Sequence, residues 1–248
     1  MKILALETST EYCSVALWQD GEVAQHCELV GQKHSELLIA MLDALLLETG
    51  VKLAQCDGIA FGSGPGSFTG VRIACGATQG LALGGDLKVA GICTLLALAE
   101  AAGQPRVIAA LDARMGEIYC AAYERSGEQQ DGGWITVCES CLCRPEDAPP
   151  VPGAGWFGAG SGFAAFADEL QARYAGQLVG VDKDAVPQAA AIAALGAAQF
   201  ALGGGVDAAA AQPLYLRDKV ALKTAEREQL AIEKSLLNSK PQTANGKR

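Results

Sequence analysis

Positive charge and long apolar runs are both scarce in this sequence of 248 residues. Lysine and arginine total 19 against 28 acidic residues, which gives a net charge of −9. Because binding to a nucleic acid or an anionic membrane needs clustered basic side chains, this balance argues against a stand-alone binder of either kind. The most apolar stretch, residues 189–205, is mainly alanine and too short to span a bilayer. The amino end reaches Glu7 too early for a signal-peptide core, so we expect a cytoplasmic protein.

Histidine is almost absent as well, since the sequence contains only His26 and His34. Their spacing of eight does not place them on one helix face as a spacing of four would. At the start of a predicted helix, His34 is expected in a capping or solvated role. This scarcity disfavours both a histidine-ligated metal centre and a Ser–His hydrolase.

Cysteine, in contrast, occurs nine times, mainly among apolar neighbours, which is typical of reduced thiols in a cytosol. Cys138, Cys141 and Cys143 form a CxxC pair with one further thiol. A zinc site needs a fourth ligand, and the sequence has no second CxxC. We expect an edge strand carrying buried thiols, with metal binding as the open alternative.

Half of the residues are hydrophobic and 19% are charged, as in folded globular chains. The first hundred residues predict the order β-β-β-α-β-α-β-α, in which tight antiparallel turns precede parallel connections. This mixture excludes a plain Rossmann order and indicates an α/β fold.

The best candidate for a domain boundary is the turn Gly103-Gln104-Pro105. We therefore predict an amino-terminal lobe over residues 1–103, a carboxyl-terminal lobe over 104–217, and a helix with a polar tail over 218–248. The later elements are predicted as a hairpin around residues 113–116, strands at 134–138 and 155–159, and helices at 163–174, 188–202 and 221–237.

A glycine-rich loop, Gly62 to Gly70, lies between a predicted strand and a predicted helix. Such a loop can point backbone N–H groups and a positive helix end at a phosphate. No lysine follows at the Walker spacing, so a P-loop is excluded, and a tight structural turn is the favoured interpretation. Glu7, at the end of the first strand, is the carboxylate best placed for a cleft. The candidate phosphate site is Glu7, Gly64, Gly66 and Ser67.

The two helices predicted at residues 33–49 and 68–83 have too little polar surface. Apolar positions span about 200° of the first helix, against about 100° for an ordinary surface helix. In the second, Arg72 is the sole charge, and small residues permit close approach of another helix. Burial on a second side can come from another domain of this chain or, as we favour, from a partner protein. The expected interface residues are His34, Leu37, Leu38, Met41, Leu42, Leu45, Arg72, Ile73, Ala77 and Gly80.

Four segments of the sequence resemble the TsaB family. They are ILALETST near the amino end, GSGPGSFTGVRI at Gly62–Ile73, DARMGEIY at Asp112–Tyr119 and PLYLR at Pro213–Arg217. Members of that family are dimerisation subunits of the bacterial system that installs threonylcarbamoyl on the adenosine beside the tRNA anticodon. The resemblance implies a two-lobed ASKHA (actin-like ATPase) fold, in which each lobe is ribonuclease-H-like with a mixed sheet.

The resemblance also implies the partners. TsaD would hold the catalytic site and form a heterodimer with this chain, and the small ATPase TsaE would complete the system. ATP and Mg²⁺ would act in the partner subunits, with no cofactor bound here, and tRNA would be reached only through the complex. Without the partner, the same apolar helices are expected to form a homodimer.

Two departures from the family patterns favour a non-catalytic subunit. TsaD-type proteins bind a metal through an HxxxH pair, whose positions fall near Thr94 and Leu98, and neither residue is a comparable ligand. The first strand of the family usually ends in Asp, whereas this chain has the longer Glu7. The alternative is an ASKHA phosphotransferase or ATPase that uses Glu7 and the Gly64–Ser67 loop. The missing ligand pair argues against a third possibility, a metallopeptidase.

Overall fold

The fold is built around two five-stranded mixed sheets. The computed structural model describes residues 1–126 and 133–217, and Met1–Leu216 form one compact unit. The strands of the first sheet are β1 (Lys2–Glu7), β2 (Tyr12–Gln19), β3 (Glu22–Leu29), β4 (Gly58–Gly64) and β5 (Lys88–Cys93). Those of the second are β6 (Arg106–Arg114), β7 (Glu117–Arg125), β8 (Trp134–Cys143), β9 (Trp156–Ala159) and β10 (Leu178–Asp182).

The two sheets repeat one topology, with orders β3-β2-β1-β4-β5 and β10-β9-β6-β7-β8. In the first, β1 lies between antiparallel β2 and parallel β4, and β3 and β5 continue those two pairings outward. In the second, β6 takes the place of β1, with β7 and β8 antiparallel on one side and β9 and β10 parallel on the other. The turn Asp20-Gly21 has positive φ at both residues, as a two-residue hairpin requires.

Six helices accompany the sheets in the described ranges. They are α1 (His34–Thr49), α2 (Phe68–Gly85), α3 (Thr94–Ala102), α4 (Ser161–Ala165), α5 (Ala167–Arg173) and α6 (Ala189–Ala201). Both α1 and α2 cover one face of the first sheet, over a core that includes Leu4, Leu6 and Phe61. Burial of this apolar surface is the main stabilisation of the layer.

Two helices connect the sheets. Helix α3 follows the first sheet in the chain and packs on the second, whereas α6 follows the second sheet and packs on the first. α6 covers the second face of the first sheet, and Gly196 lies so close that an added Cβ would be 2.5 Å from the Cβ of Ala60. α3 places Leu95 and Leu98 in a core with β6 and β7 of the second sheet. Because elements from both sides of residue 103 share cores, the proposed lobe boundaries stay predictions.

The second sheet differs from its sequence-based prediction at both edges. Strand β8 continues to Cys143 rather than ending near Cys138, and β10 was missed. Val179 and Val181 of β10 are exposed, so no alternating buried pattern marks this edge strand.

The single helix predicted over residues 163–174 is two short helices, α4 and α5. They meet at Phe166, whose φ of −135° and ψ of 51° are not helical. The helix predicted at 221–237 and the tail segment 218–248 lie outside the described residues. None of the described helices is long and apolar enough to cross a membrane.

Candidate functional site: an outer helical face and a glycine loop

Most of the α1 residues expected at an interface are buried in the core of this chain. His34, Leu38, Met41, Leu42 and Leu45 are between 0% and 6% exposed, and the four aliphatic side chains pack on the first sheet. Their assignment to a partner surface is therefore wrong. The wide apolar arc of α1 exists because this inner half covers the sheet, as an ordinary amphipathic helix does.

His34 is not solvated either. Its ring lies at the first position of α1, and Nε2 donates a hydrogen bond to the carbonyl oxygen of Tyr12 at 3.1 Å. The histidine thus fastens the start of α1 to the start of β2.

The outward side of α1 carries exposed apolar residues together with the acidic residues Glu36 and Asp43. Ile39 is 47% exposed and Leu47 is 85% exposed, and Ala40 and Ala44 are exposed between them. Leu37 is only partly buried at the margin of the core. Large exposed aliphatic side chains on one side of a helix are uncommon on a surface that contacts water alone.

The outer side of helix α2 carries few side chains. Gly76, Gly80 and Gly84 recur at intervals of four, and a Cβ added to any of them would meet no atom of the described residues within 4 Å. Leu83 is 81% exposed beside them, whereas Ile73 and Ala77 are partly buried against the core. We give the name outer helical face to a selected set of exposed positions on both helices: Ile39, Ala40, Ala44, Leu47, Arg72, Gly76, Gly80 and Leu83.

Arg72 stands at the beginning of this face in a stack of aromatic rings. Its guanidinium lies 3.3 Å from the ring centroid of Phe68 and 5.1 Å from that of Tyr215. The two rings are 6.0 Å apart. This cation–π arrangement ties the PLYLR segment to the start of α2 and fixes the position of the helix's one charge.

The glycine loop is packed against the turn that follows β1. The Ser67 N–H donates to the carbonyl oxygen of Ser9 at 2.8 Å, and the Thr8 hydroxyl donates to the carbonyl oxygen of Gly70 at 2.7 Å. A Cβ on Gly66 would lie 2.6 Å from the Cβ of Ser9. The glycines therefore allow two backbone segments to touch, which is a structural reason for their presence.

Glu7 lies within this contact and is 1% exposed. Its Oε1 accepts a hydrogen bond from the Ser9 N–H, and Oε2 occupies the space that a side chain on Gly62 would need. Within the described residues, Oε2 has no hydrogen-bond partner. Burial raises the pKa of Glu7 from 4.5 to about 7, against the lowering effect of the Ser9 hydrogen bonds. The structure thus joins Glu7, Gly66 and Ser67 through Ser9, whereas Gly64 contacts Thr94 and Leu214.

The positions aligned with the HxxxH pair are structural. The Thr94 hydroxyl accepts a hydrogen bond from the Gly64 N–H at 3.1 Å, and Leu98 is fully buried. The same peptide unit is also held from its carbonyl side, since the Leu214 N–H donates to the Ser63 carbonyl oxygen at 2.7 Å. Sequence spacing could not have shown this last contact, because the two residues are far apart in the chain.

Comparison with known proteins agrees with this geometry. A family model described as "TsaD: tRNA N6-adenosine threonylcarbamoyltransferase" matches residues 26–225. Two relatives, from Escherichia coli K12 and Haemophilus influenzae, carry the name "tRNA threonylcarbamoyladenosine biosynthesis protein TsaB". They are 38% and 37% identical to this chain, and each match covers 90% of this chain and 97% and 96% of the relative.

The chain belongs to the TsaB family.

A solved structure titled "YeaZ from Pseudomonas aeruginosa" is 41% identical, with a TM-score of 0.78 over 87% of this chain and 99% of that one. A second, titled an uncharacterized protein with similarity to peptidase YEAZ from the same organism, has a TM-score of 0.79 at 41% identity. These matches and the repeated sheets confirm the expected two-lobed ASKHA fold of this TsaB-family chain.

The thiol cluster of this TsaB-family chain lies on β8, at the edge of the second sheet, as predicted. Cys138, Cys141 and Cys143 are partly rather than fully buried. Over residues 1–126 and 133–217, no group of three or more His, Cys, Asp or Glu side chains is arranged to hold a metal ion.

Proposed function

We propose that this chain acts in tRNA threonylcarbamoyladenosine biosynthesis as a non-catalytic subunit. In that role it binds TsaD and activates it for transfer of threonylcarbamoyl to N6 of the adenosine adjacent to the tRNA anticodon. The observation that carries the proposal is the match to relatives named TsaB over nearly their whole length. The family model named for TsaD also matches this chain, so both subunits would present related helices to each other.

The outer helical face is the proposed docking surface for TsaD. Leu47 and Leu83 offer exposed aliphatic side chains, while Gly76 and Gly80 leave room for a close helix approach. A specific interface must bury at least about 1,000 Å² in total, so the contact would involve both helices. This surface replaces the buried α1 residues of the sequence-based assignment and retains Arg72 and Gly80.

The net charge of this chain indicates which subunit would bind tRNA. A chain with a net charge of −9 is poorly suited to hold tRNA, so TsaD would supply the basic contacts. ATP and Mg²⁺ would act in TsaD and TsaE. The outer helical face would join two copies of this chain when TsaD is absent, since a self-complementary patch supports two-fold pairing.

A matched pair of variants tests the docking surface. Gly80→Arg places a large side chain on the outer helical face, where the added Cβ meets no described residue within 4 Å. Ala198→Arg makes a comparable change at an exposed position of α6, over the opposite face of the first sheet. In size-exclusion chromatography with TsaD, we expect Gly80→Arg to weaken co-elution at least about tenfold while Ala198→Arg retains it. Equal co-elution of both variants would contradict this surface.

The second candidate function is an ASKHA phosphotransferase or ATPase. The observation in its favour is the buried Glu7, whose Oε2 has no hydrogen-bond partner among described residues at the glycine loop. Against it, the Ser67 N–H that would face a phosphate already donates to Ser9. A positive result in the nucleotide titration described below would favour this alternative.

A further inference from the structure

The thiols of β8 share one face because the strand contains a β-bulge. Cys120 of β7 pairs with Cys141, and Ala122 pairs with Cys138, so β7 advances by two residues while β8 advances by three. Regular alternation would direct Cys138 and Cys141 to opposite faces. With the extra residue, both pack on the core that contains Cys120.

Cys141 and Cys143 are the closest thiols in this group. They are two residues apart on the same side of β8, and their Sγ atoms lie 3.9 Å apart. Two residues of a strand span about 6.6 Å between Cα atoms, near the upper limit for a disulfide, and the strand must bend to bring their Cβ atoms to the roughly 4 Å that a disulfide needs. Both residues are partly exposed, and β8 has no strand on its outer side among the described residues. The edge of the sheet can therefore adjust when the two sulfurs approach.

The chemistry of these two thiols differs from that of their neighbours. The hydrogen bond between these two thiols lowers the pKa of Cys141 to about 7 and raises the pKa of Cys143. Burial raises the pKa of Cys120 to about 12, and burial also raises the pKa of Cys138. The Cys138 thiol donates instead to the carbonyl oxygen of Pro150 at 3.3 Å. Cys141 is thus the member of the cluster whose pKa is lowered, which favours its thiolate.

We propose that Cys141 and Cys143 form a peroxide-sensitive dithiol, in which Cys141 is the nucleophile and Cys143 the resolving thiol. The Cys141 thiolate attacks one oxygen of a hydroperoxide, an S–O bond forms, and the O–O bond breaks to release hydroxide or an alkoxide. The Cys143 sulfur then attacks the sulfenic acid of Cys141, an S–S bond forms, and the hydroxyl leaves as water with the Cys143 proton. Two thiols are oxidised to one disulfide, and one peroxide is reduced to two molecules of water, or to water and an alcohol.

The full chain treated with hydrogen peroxide tests this assignment. Cleavage after Glu139 and Glu146 releases a peptide of residues 140–146, which carries Cys141 and Cys143 without Cys138. After brief oxidation and alkylation of the remaining thiols, we expect this peptide to be lighter by two hydrogen atoms than its reduced, unalkylated form. Dithiothreitol should restore its alkylation.

Three variants separate the roles of the thiols. In Cys143→Ser, the Cys141 sulfenic acid has no resolving partner and should be trapped by dimedone, whereas Cys141→Ser should react with peroxide at least about tenfold more slowly. Cys138→Ser is the matched control and should form the same disulfide as the unaltered chain. Circular dichroism of each variant verifies that the fold is retained.

Specific results would overturn the proposal. One is a 140–146 peptide that keeps both thiols under conditions that oxidise another cysteine of the chain. Another is dimedone labelling of Cys143→Ser that is no faster at Cys141 than at Cys138. A disulfide that joins Cys141 to Cys120 or Cys138 would likewise reject Cys143 as the resolving thiol.

Discussion

The Thr8 hydroxyl donates a hydrogen bond to the carbonyl oxygen of Gly70 at 2.7 Å, which joins the end of β1 to the first turn of α2. The same two residues also touch through their backbones, because the Thr8 carbonyl oxygen occupies the position where a side chain on Gly70 would begin. Helix α2, which carries half of the outer helical face, is therefore positioned by the glycine loop. In the proposed complex with TsaD, the loop would affect docking by holding this helix in place.

Gly70→Ala should destabilise the protein. Its Cβ would lie 1.9 Å from the Thr8 carbonyl oxygen, and backbone must move to relieve the overlap. We expect a loss of about 1–3 kcal/mol in the free energy of unfolding, measured by urea denaturation. The control is Gly76→Ala in the same helix, where the Cβ position is open and a gain of about 0.5–1 kcal/mol is expected. Equal effects of the two substitutions would contradict the packing described here.

The stability of the chain should depend on pH through Glu7. The pKa of this carboxyl is about 7 in the folded protein and 4.5 when unperturbed, so between these values the folded state binds more protons. The free energy of unfolding should therefore be greatest below pH 4.5 as far as Glu7 is concerned, and fall as the pH rises through 7. The total contribution is about 3 kcal/mol.

The Glu7→Gln variant isolates this contribution, because its neutral amide does not titrate. Urea denaturation between pH 5 and pH 8 should show a smaller decline for Glu7→Gln than for the unaltered chain. Parallel declines would show that Glu7 is not the group responsible.

Leu45 and Leu47 should respond very differently to truncation. Leu45 is fully buried, so Leu45→Ala should cost about 2–5 kcal/mol through lost apolar contact and a residual cavity. Leu47 is 85% exposed, and Leu47→Ala should change stability by no more than about 0.5 kcal/mol. Thermal denaturation of both variants is the measurement. A small effect at Leu45 would restore it as a surface residue.

These two leucines also mark how far the sequence could predict the fold. The turn Asp20-Gly21 and the ends of α1 at Gly50 and α3 at Gly103 were predictable, because local residue chemistry determines them. The sequence showed that apolar positions cover a wide arc of α1. It did not show which of these positions face the sheet and which lie on the outer surface. That division depends on tertiary contacts, chiefly with β2 and β3, which the residue pattern within α1 does not contain.

The glycine loop could likewise be predicted in part, since its residues are adjacent in sequence but their packing partners are not. Its glycines and the carboxyl of Glu7 could be grouped from the sequence, because both lie at the ends of predicted strands. The reason why glycine is needed at Gly66 and Gly70 is their close packing against Ser9 and Thr8, and only the structure shows this packing. The bulge that brings Cys138 and Cys141 to one face was equally hidden, because register is set between strands.

Titration of ATP–Mg²⁺ into the purified chain should produce no saturable heat in the micromolar range. The Ser67 N–H is already bonded to Ser9, and the Gly70 N–H donates to the Ser67 hydroxyl at 3.3 Å, so two of the amides around the start of α2 are engaged. Isothermal titration calorimetry makes the measurement. Saturable binding that Glu7→Gln abolishes would support the phosphotransferase instead.

The most direct test of the proposed role is the rate of threonylcarbamoyl transfer to tRNA by purified TsaD and TsaE, with and without this chain. We predict that transfer depends on its addition, that Gly80→Arg supports a rate at least about tenfold lower, and that Ala198→Arg supports the full rate. An equal rate of transfer in the absence of the chain would contradict the account.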